Sequence, residues 1–582
     1  MSPQIKWFIL FVIAGVVIVI ILNRYMPERA DTIYINSRIY TMDANNTIAE
    51  AMAITNDKIV GIGTKKYIER KFRAKNIIDL DRKVVLPGLI DAHCHLLELG
   101  LARMTVELVG VHSEIEAAEK VAQRVAVSKP EQWIRGSGWN QDEWQTKSFP
   151  NKLILDRIAP NNPVYLVRID GHACWVNKCV LEIAGINRQT TDPPGGKILR
   201  DANGEPTGIF INAAMDLINK FVPEPNEQEM LEAIRLATEE CASVGITSVQ
   251  EMGVDAKQVE FYKKMIDENK FPLRVYAAID APGELWDKMK SEGKLIGYRD
   301  NKLTIRALKL YVDGELGPHG AAMIEPYSDD PNNRGLTMFS EEELQKIVNE
   351  SLNYGFQVCA HAIGDRANHI ILNVYESVLK KHQLPFARLR VEHAQVLSPE
   401  DIPRFKQLDV LPSMQPLDCN SDMYWVESLL GPKRIHGAYA WRSLLNTGVV
   451  IPAGSDFPLG STNLFFVIYA ACTRQDRNAV PKNVGDVRKY FQSSANEYSD
   501  TAEFVNGWYN SEKMTREEAV RGFTTWAAYA AFEEKLKGSL ERGKLADFIV
   551  ISKDIFLCPA IEIPDIKVES TVLGGKVIFA HL

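Results

Sequence analysis

Cysteine is scarce in this sequence and has no pattern. Eight thiols are spread over 582 residues, and no two stand in a CxxC pair. That spacing offers no disulfide framework. Cys94, Cys174 and Cys359 lie in or beside apolar runs, the usual place for a buried free thiol. A surplus of basic residues is missing as well. The 67 Lys and Arg residues face 75 Asp and Glu, for a net charge of -8, which argues against nucleic acid as the main partner. No internal repeat and no low-complexity segment interrupts the chain, and 46% hydrophobic with 24% charged residues is an ordinary globular composition. The length exceeds one compact core, so a large domain with smaller ones attached is expected.

Long apolar runs are also missing, with one exception at the N-terminus. Trp7 to Leu22 is uncharged and flanked by Lys6 and Arg24. As a helix it would span about 24 Å at 1.5 Å per residue, slightly short of a bilayer core of about 30 Å. No A-x-A-like cleavage site follows it. The expectation is an uncleaved anchor over residues 1–28, a single-pass transmembrane helix that makes the membrane a partner and the place of residence, with the side undetermined.

Beyond residue 28 the pattern changes. "DTIYINSRIYTMD" and "KIVGIG" are short, β-branched and partly alternating, as in a small sheet, and "GSLERGKLADFIVIS" near the C-terminus returns to the same pattern. Residues 29–86 and 531–582 are therefore expected to build one discontinuous β-sandwich. Between them, over 87–530, short buried strands alternate with amphipathic helices. The strand candidates are "GLIDAHCH", "GITSVQEM", "LRVYAAI", "LTIRALKLYVDG", "FQVCAHAIGD", "LRVEHAQ", "DVLPSMQP" and "GVVIPAGSD". Eight such strands predict an α/β protein with a (β/α)8 TIM-like barrel, carrying an insertion at about 100–230 after its first strand.

His93 and His95 end the first candidate strand with one residue between them. Residues two apart share a face of a strand, so the two rings project together. They read either as satisfied core histidines or as two nitrogens on one cation. In a barrel of this type the site lies at the carboxyl ends of the strands. Lys309, His361, His393 and Asp456 lie in or at the ends of the fourth, fifth, sixth and eighth candidates. Four histidines, a lysine and an aspartate on one rim favour the metal reading.

This set, in this order, resembles the amidohydrolase superfamily, and in it the amidohydrolase-3, YtcJ-like branch related to N-substituted formamide deformylases. The likeness rests on "PGLIDAHCHL", "GSGWNQDEW", "DGHACWVN", "PPGGKILRDANGEPTG", "LKLYVDGELG", "HAIGDRA", "RVEHAQ", "SMQP", "AGSDFPLG" and "GSLERGKLADFIV". The resemblance implies a metal-dependent hydrolase of small-molecule carbon–nitrogen bonds other than peptide bonds, working through a metal-bound hydroxide. His93, His95, His361 and His393 look like the metal ligands, Asp456 like a ligand and the catalytic base, and Lys309 like the lysine that some members carboxylate. One or two divalent ions, zinc foremost, would be held.

Bland readings stand beside these. Lys309 unmodified would pair with Asp313, and Asp456 would cap a helix. Trp139, Asn140 and His172 fall in the insertion, where they either close over substrate or orient a loop. His319 reads as a surface-loop residue. Ester or lactone hydrolysis, isomerisation, and an inactive anchored binding protein are the alternative functions.

Overall fold

The computed structural model describes Trp7 and residues 27–382, 387–491 and 502–581. It falls into two compact units, one of Met1–His95 with Thr238–Leu582 and one of Leu96–Ala237.

The first unit contains two sheets of a small β domain. One has the strand order Lys58–Gly63, Ala51–Thr55, Glu28–Ile35, Phe72–Asp79. The other runs Lys576–Ala580, Val568–Leu573, Phe548–Ile551, Val84–Pro87, Arg38–Tyr40, Ile48–Ala49. The two parts of the chain meet where Phe548–Ile551 pairs antiparallel with Val84–Pro87. Tyr34, Met52 and Ile59 from one sheet share a buried apolar cluster with Ile39, Val85 and Phe548 from the other. Two sheets packed face to face bury one face each against the other.

Val84–Pro87 runs straight on into the parallel sheet of the same unit. Its strands are β1 (Leu89–Cys94), β2 (Ile246–Val254), β3 (Arg274–Asp280), β4 (Leu303–Tyr311), β5 (Gln357–Ala362), β6 (Arg390–His393) and β7 (Leu411–Ser413), hydrogen-bonded in that order. Every residue of β1 and β5 is buried. A parallel strand with helices outside and side chains inside has no wet face, and such strands read as continuous apolar runs. Helices return the chain between them. Ala256–Asp267 and Glu341–Asn353 each open on a capping box, Asp255 with Gln258 and Ser340 with Glu343, which satisfies two otherwise unpaired N–H groups.

Two expectations from the sequence are corrected. The barrel is nearly closed with seven strands, and the eighth, expected at 448–456, does not form as a strand. Pro452 has no N–H to give a ladder, and Asp456 turns to φ 56°. Gly454 lies so close to β1 that a Cβ would sit 2.6 Å from the backbone nitrogen of His93. The segment instead closes the gap by isolated bonds. Gly454 N–H donates to Met414 O (3.1 Å), Ala92 N–H to Ala453 O (3.0 Å) and Asp456 N–H to His93 O (2.8 Å).

The transmembrane helix is the second correction, and membrane localisation and a membrane partner go with it. No helix among the described residues is long and apolar enough to cross a membrane. Asp365–His382, at 18 residues, carries Asp365, Arg366, Lys380 and Lys381. Of the expected anchor only Trp7, Pro27 and Glu28 belong to the described residues, so the apolar run itself lies almost wholly outside them. Its sixteen-residue run is also shorter than the roughly 20 apolar residues that a span requires.

The second unit is a mixed six-stranded sheet in the order Gly196–Arg200, Pro206–Asn212, Ala173–Val176, Val164–Arg168, Ile134–Trp139, Val106–Glu107. Trp139, Trp144 and Trp175 pack at its centre.

Candidate metal centre at the carboxyl ends of the barrel strands

β1 delivers Asp91 and His93 at alternate positions into the barrel, and His95 follows just beyond its end. Asp91 is the first. Its buried carboxylate accepts the hydroxyl of Ser455 (2.5 Å) and the N–H groups of His93 (3.0 Å) and Ser455 (3.1 Å). Burial pushes its pKa up to about 7, against the pull of those hydrogen bonds. It ties β1 to the segment that closes the barrel.

His93 is the second, and it is 1% exposed. Its Nδ1 lies 2.7 Å from Glu392 Oε2. Its Nε2 lies 3.4 Å from Lys309 Nζ and 3.6 Å from Asp456 Oδ1. Burial, then the charge of Lys309, holds its pKa well below the ordinary histidine value, leaving a neutral ring with a lone pair to give. His95 follows just beyond the strand, with Nε2 3.4 Å from the same Asp456 oxygen.

β5 and β6 bring His361 and His393 to the same place. Their ring centroids are 4.6 Å apart, and those of His93 and His393 are 5.0 Å apart. Burial and then His393 hold the pKa of His361 well below normal. His393 is pulled down by burial, but the carboxylates of Asp418 and Asp456 outweigh this and leave it raised. Its Nδ1 is 3.7 Å from Asp418 Oδ2, too far for a hydrogen bond. Lys309, buried on β4, has its pKa lowered by burial.

Ligand atoms of His93, His393 and Asp456 all lie within 4.8 Å of one another. His361 Nε2, His393 Nδ1 and Asp456 Oδ1 are buried and make no hydrogen bond in the protein. Buried polar atoms are normally paired. His361 Nε2 lies 3.6 Å from Asp313 Oδ1, so the group that converges is His93, His393 and Asp456, imidazole nitrogens with a carboxylate oxygen, a donor set that fits a divalent cation.

The bland readings of two residues do not form. Asp313 does not take up the lysine amine, because its carboxylate accepts N–H groups of Ala322 (2.8 Å), Ile363 (3.0 Å) and Gly364 (2.8 Å). Asp456 caps no helix. The next helix, Leu464–Thr473, is capped by Asn463.

The softer candidates Trp139, Asn140 and His172 lie in the second unit. Trp139 is fully buried and its indole N–H donates to Leu166 O (3.0 Å). Asn140 accepts Asp142 N–H and bonds Arg168 and Glu143. His172 is exposed, with its backbone N–H on Asp170. His319, after β4, sits 3.0 Å from both oxygens of Asp329. Sequence reasoning assigned nothing to Asp91, Arg390, Glu392, Asp418 or Ser455. The one signal available was alternation, since Asp91 and Arg390 share a strand face with His93 and Glu392 respectively.

The chain is similar to known proteins over most of its length. The amidohydrolase family matches residues 76–579. The putative amidohydrolase YtcJ of Bacillus subtilis is 30% identical over 549 residues, covering 93% of this chain and 98% of its own. The N-substituted formamide deformylase of Arthrobacter pascens is 25% identical over 572 residues, covering 94% and 98%. Among solved structures, an uncharacterized metal-dependent hydrolase from Pyrococcus horikoshii superimposes with a TM-score of 0.71 at 26% identity, covering 91% of this chain and 99% of that one. The chain belongs to the amidohydrolase family, in its YtcJ-like branch related to N-substituted formamide deformylases, and is an enzyme of the metal-dependent hydrolase type.

Proposed function

We propose that this enzyme hydrolyses a small-molecule carbon–nitrogen bond other than a peptide bond, in a formamide, amide or cyclic amide. The metal, zinc foremost, would be held by His93, His95, His361 and His393, with Asp456 and Lys309 completing the set. The observation that carries this reading is the buried group of His93, His393 and Asp456, whose ligand atoms all lie within 4.8 Å of one another. Likeness to a protein named N-substituted formamide deformylase supports the formamide as first substrate class.

When bound, the metal supplies a Lewis acid that polarises the carbonyl and lowers the pKa of water. The rest falls to the chain. Asp456 Oδ1, 3.4 Å from His95 and 3.6 Å from His93, accepts the proton of the attacking water and returns it to the leaving nitrogen. Lys309 serves as the amine or, after adding CO2 and releasing a proton, as a carbamate whose oxygens extend the donor set. The lowered pKa of its buried amine favours the neutral, nucleophilic form.

Elemental analysis of the purified protein tests the metal reading, and a screen of N-formyl, N-acyl and cyclic amides tests the reaction. We expect stoichiometric transition metal and hydrolysis of an N-formyl amine that stops when a chelator removes the metal. Metal-free protein that hydrolyses these substrates unchanged would end the proposal.

A further inference from the structure

Glu392 belongs to β6, yet its carboxylate crosses the barrel interior to β1, where Oε2 meets His93 Nδ1 at 2.7 Å. Both side chains are buried, at 0% and 1% exposure. Arg390, two residues earlier on the same face, holds that carboxylate from behind. Its Nε is 2.7 Å from Oε1 and its Nη2 donates to Oε2 at 3.0 Å. The same guanidinium also donates to Ala92 O of β1 (2.7 Å), Ser413 Oγ of β7 (2.8 Å) and Gln250 Oε1 of β2. Four strands are thus fixed to one buried cation. It thereby links the strand bearing His93 to the strand bearing His393.

The chemistry at His93 follows from this geometry. A carboxylate paired with a guanidinium is a hydrogen-bond acceptor, so the Nδ1 that faces Glu392 must carry the ring proton. The lone pair then sits on Nε2, which is the nitrogen turned toward Asp456 and Lys309. The opposite tautomer would present an N–H to the cluster and could not bind a cation there.

We infer that Glu392, braced by Arg390, is a positioning residue that fixes the tautomer and ring angle of His93 and so sets the metal affinity of the site. This rests on the metal reading proposed above and adds residues that reading does not contain. Outer partners of a ligating histidine typically contribute 10–100-fold in metal affinity.

The test measures zinc affinity by competition with a chromophoric chelator, on the full chain stripped of metal, with Glu392→Gln, Glu392→Asp and Ser413→Ala. The glutamine keeps the size of the side chain and loses the obligatory acceptor. The aspartate keeps the charge beside Arg390 but withdraws its oxygens from His93. Ser413→Ala removes a bond to Arg390 of similar length and leaves the Glu392–His93 contact in place. We expect zinc affinity to fall about 10–100-fold in Glu392→Gln, to fall in the same direction in Glu392→Asp, and to stay within about twofold in Ser413→Ala. Should the glutamine variant not fold, the aspartate variant decides. Wild-type zinc affinity in the folded Glu392 variants, or an equal loss in Ser413→Ala, would overturn the inference while leaving the metal site standing. A wild-type protein that takes up no zinc would overturn the metal reading and the inference together.

Discussion

Replacing Asp456 with asparagine should slow hydrolysis by about 10²–10⁴-fold, the usual worth of a positioned general base, while most of the metal stays bound. The amide keeps one oxygen donor near His93 and His95 but cannot accept a proton from water at neutral pH. His93→Ala combined with His95→Ala should give the contrasting result. Activity should vanish because the metal is gone, and the fold should persist, since Asp91 and the bonds of the closing segment still hold β1 in place. Metal content by elemental analysis, read beside turnover, separates the two. If Asp456→Asn turns over at close to the normal rate, the proton goes elsewhere. If it is inactive and metal-free, Asp456 is chiefly a ligand.

The second large effect is on stability. Arg274, at the start of β3, makes a two-pronged bond to Asp547, with Nε to Oδ2 at 2.7 Å and Nη2 to Oδ1 at 3.0 Å. Gly574 N–H adds a third at 2.7 Å, and both charged side chains are buried. Removing one partner from such a pair leaves the other charge stranded in the interior, at a cost of about 3–5 kcal/mol. Asp547→Ala and Arg274→Met should each lower the midpoint of denaturant unfolding by a corresponding amount. Midpoints matching the wild type would show that the pair contributes nothing. The pH dependence has a defined sign. Burial alone would raise the pKa of Asp547, but Arg274 outweighs it and holds the carboxyl below its ordinary 3.8. The stabilisation is therefore full above the ordinary carboxyl range and is lost as pH falls through the lower, folded value. Asp547→Asn should lose part of that acid limb, and unfolding followed from pH 6 down to pH 2 would reveal it.

Some of this could be read from the sequence because it is local. His361 and His393 lie at the carboxyl ends of short buried strands, and His93 and His95 follow a Pro-Gly turn, so a period of two put them at strand ends. Alternating strand and helix patterns gave the parallel sheet. Closure of the barrel was not local. "GVVIPAGSD" has the apolar content of a strand, but Pro452 withholds a donor and Gly454 is pressed against His93, a neighbour far away in the chain. The partner of His93 Nδ1 was hidden for the same reason, since Glu392 is 299 residues distant. Asp313 likewise spends its oxygens on N–H groups 50 and 51 residues on, where the sequence suggested the nearby lysine. The N-terminal run was read from its apolar length, its charged flanks and the missing cleavage site, and its sixteen residues fall short of the roughly 20 that a span requires.

The pairing of Val84–Pro87 with Phe548–Ile551 also bears on when the enzyme matures. The early strand leads directly into β1 and its histidines, and one of its two sheet neighbours, Arg38–Tyr40, is already made, yet the other is among the last parts of the chain to be made. At synthesis rates of about 5–20 residues per second, the ribosome needs on the order of half a minute or more to travel from one to the other. Through that interval Val85 and Leu86, fully buried in the finished protein, lack the strand on one side, and the arginine at the foot of β3 waits for Asp547. Assembly of the centre is thereby postponed until translation is almost complete, so a truncated nascent chain carries the ligands without the frame that aligns them.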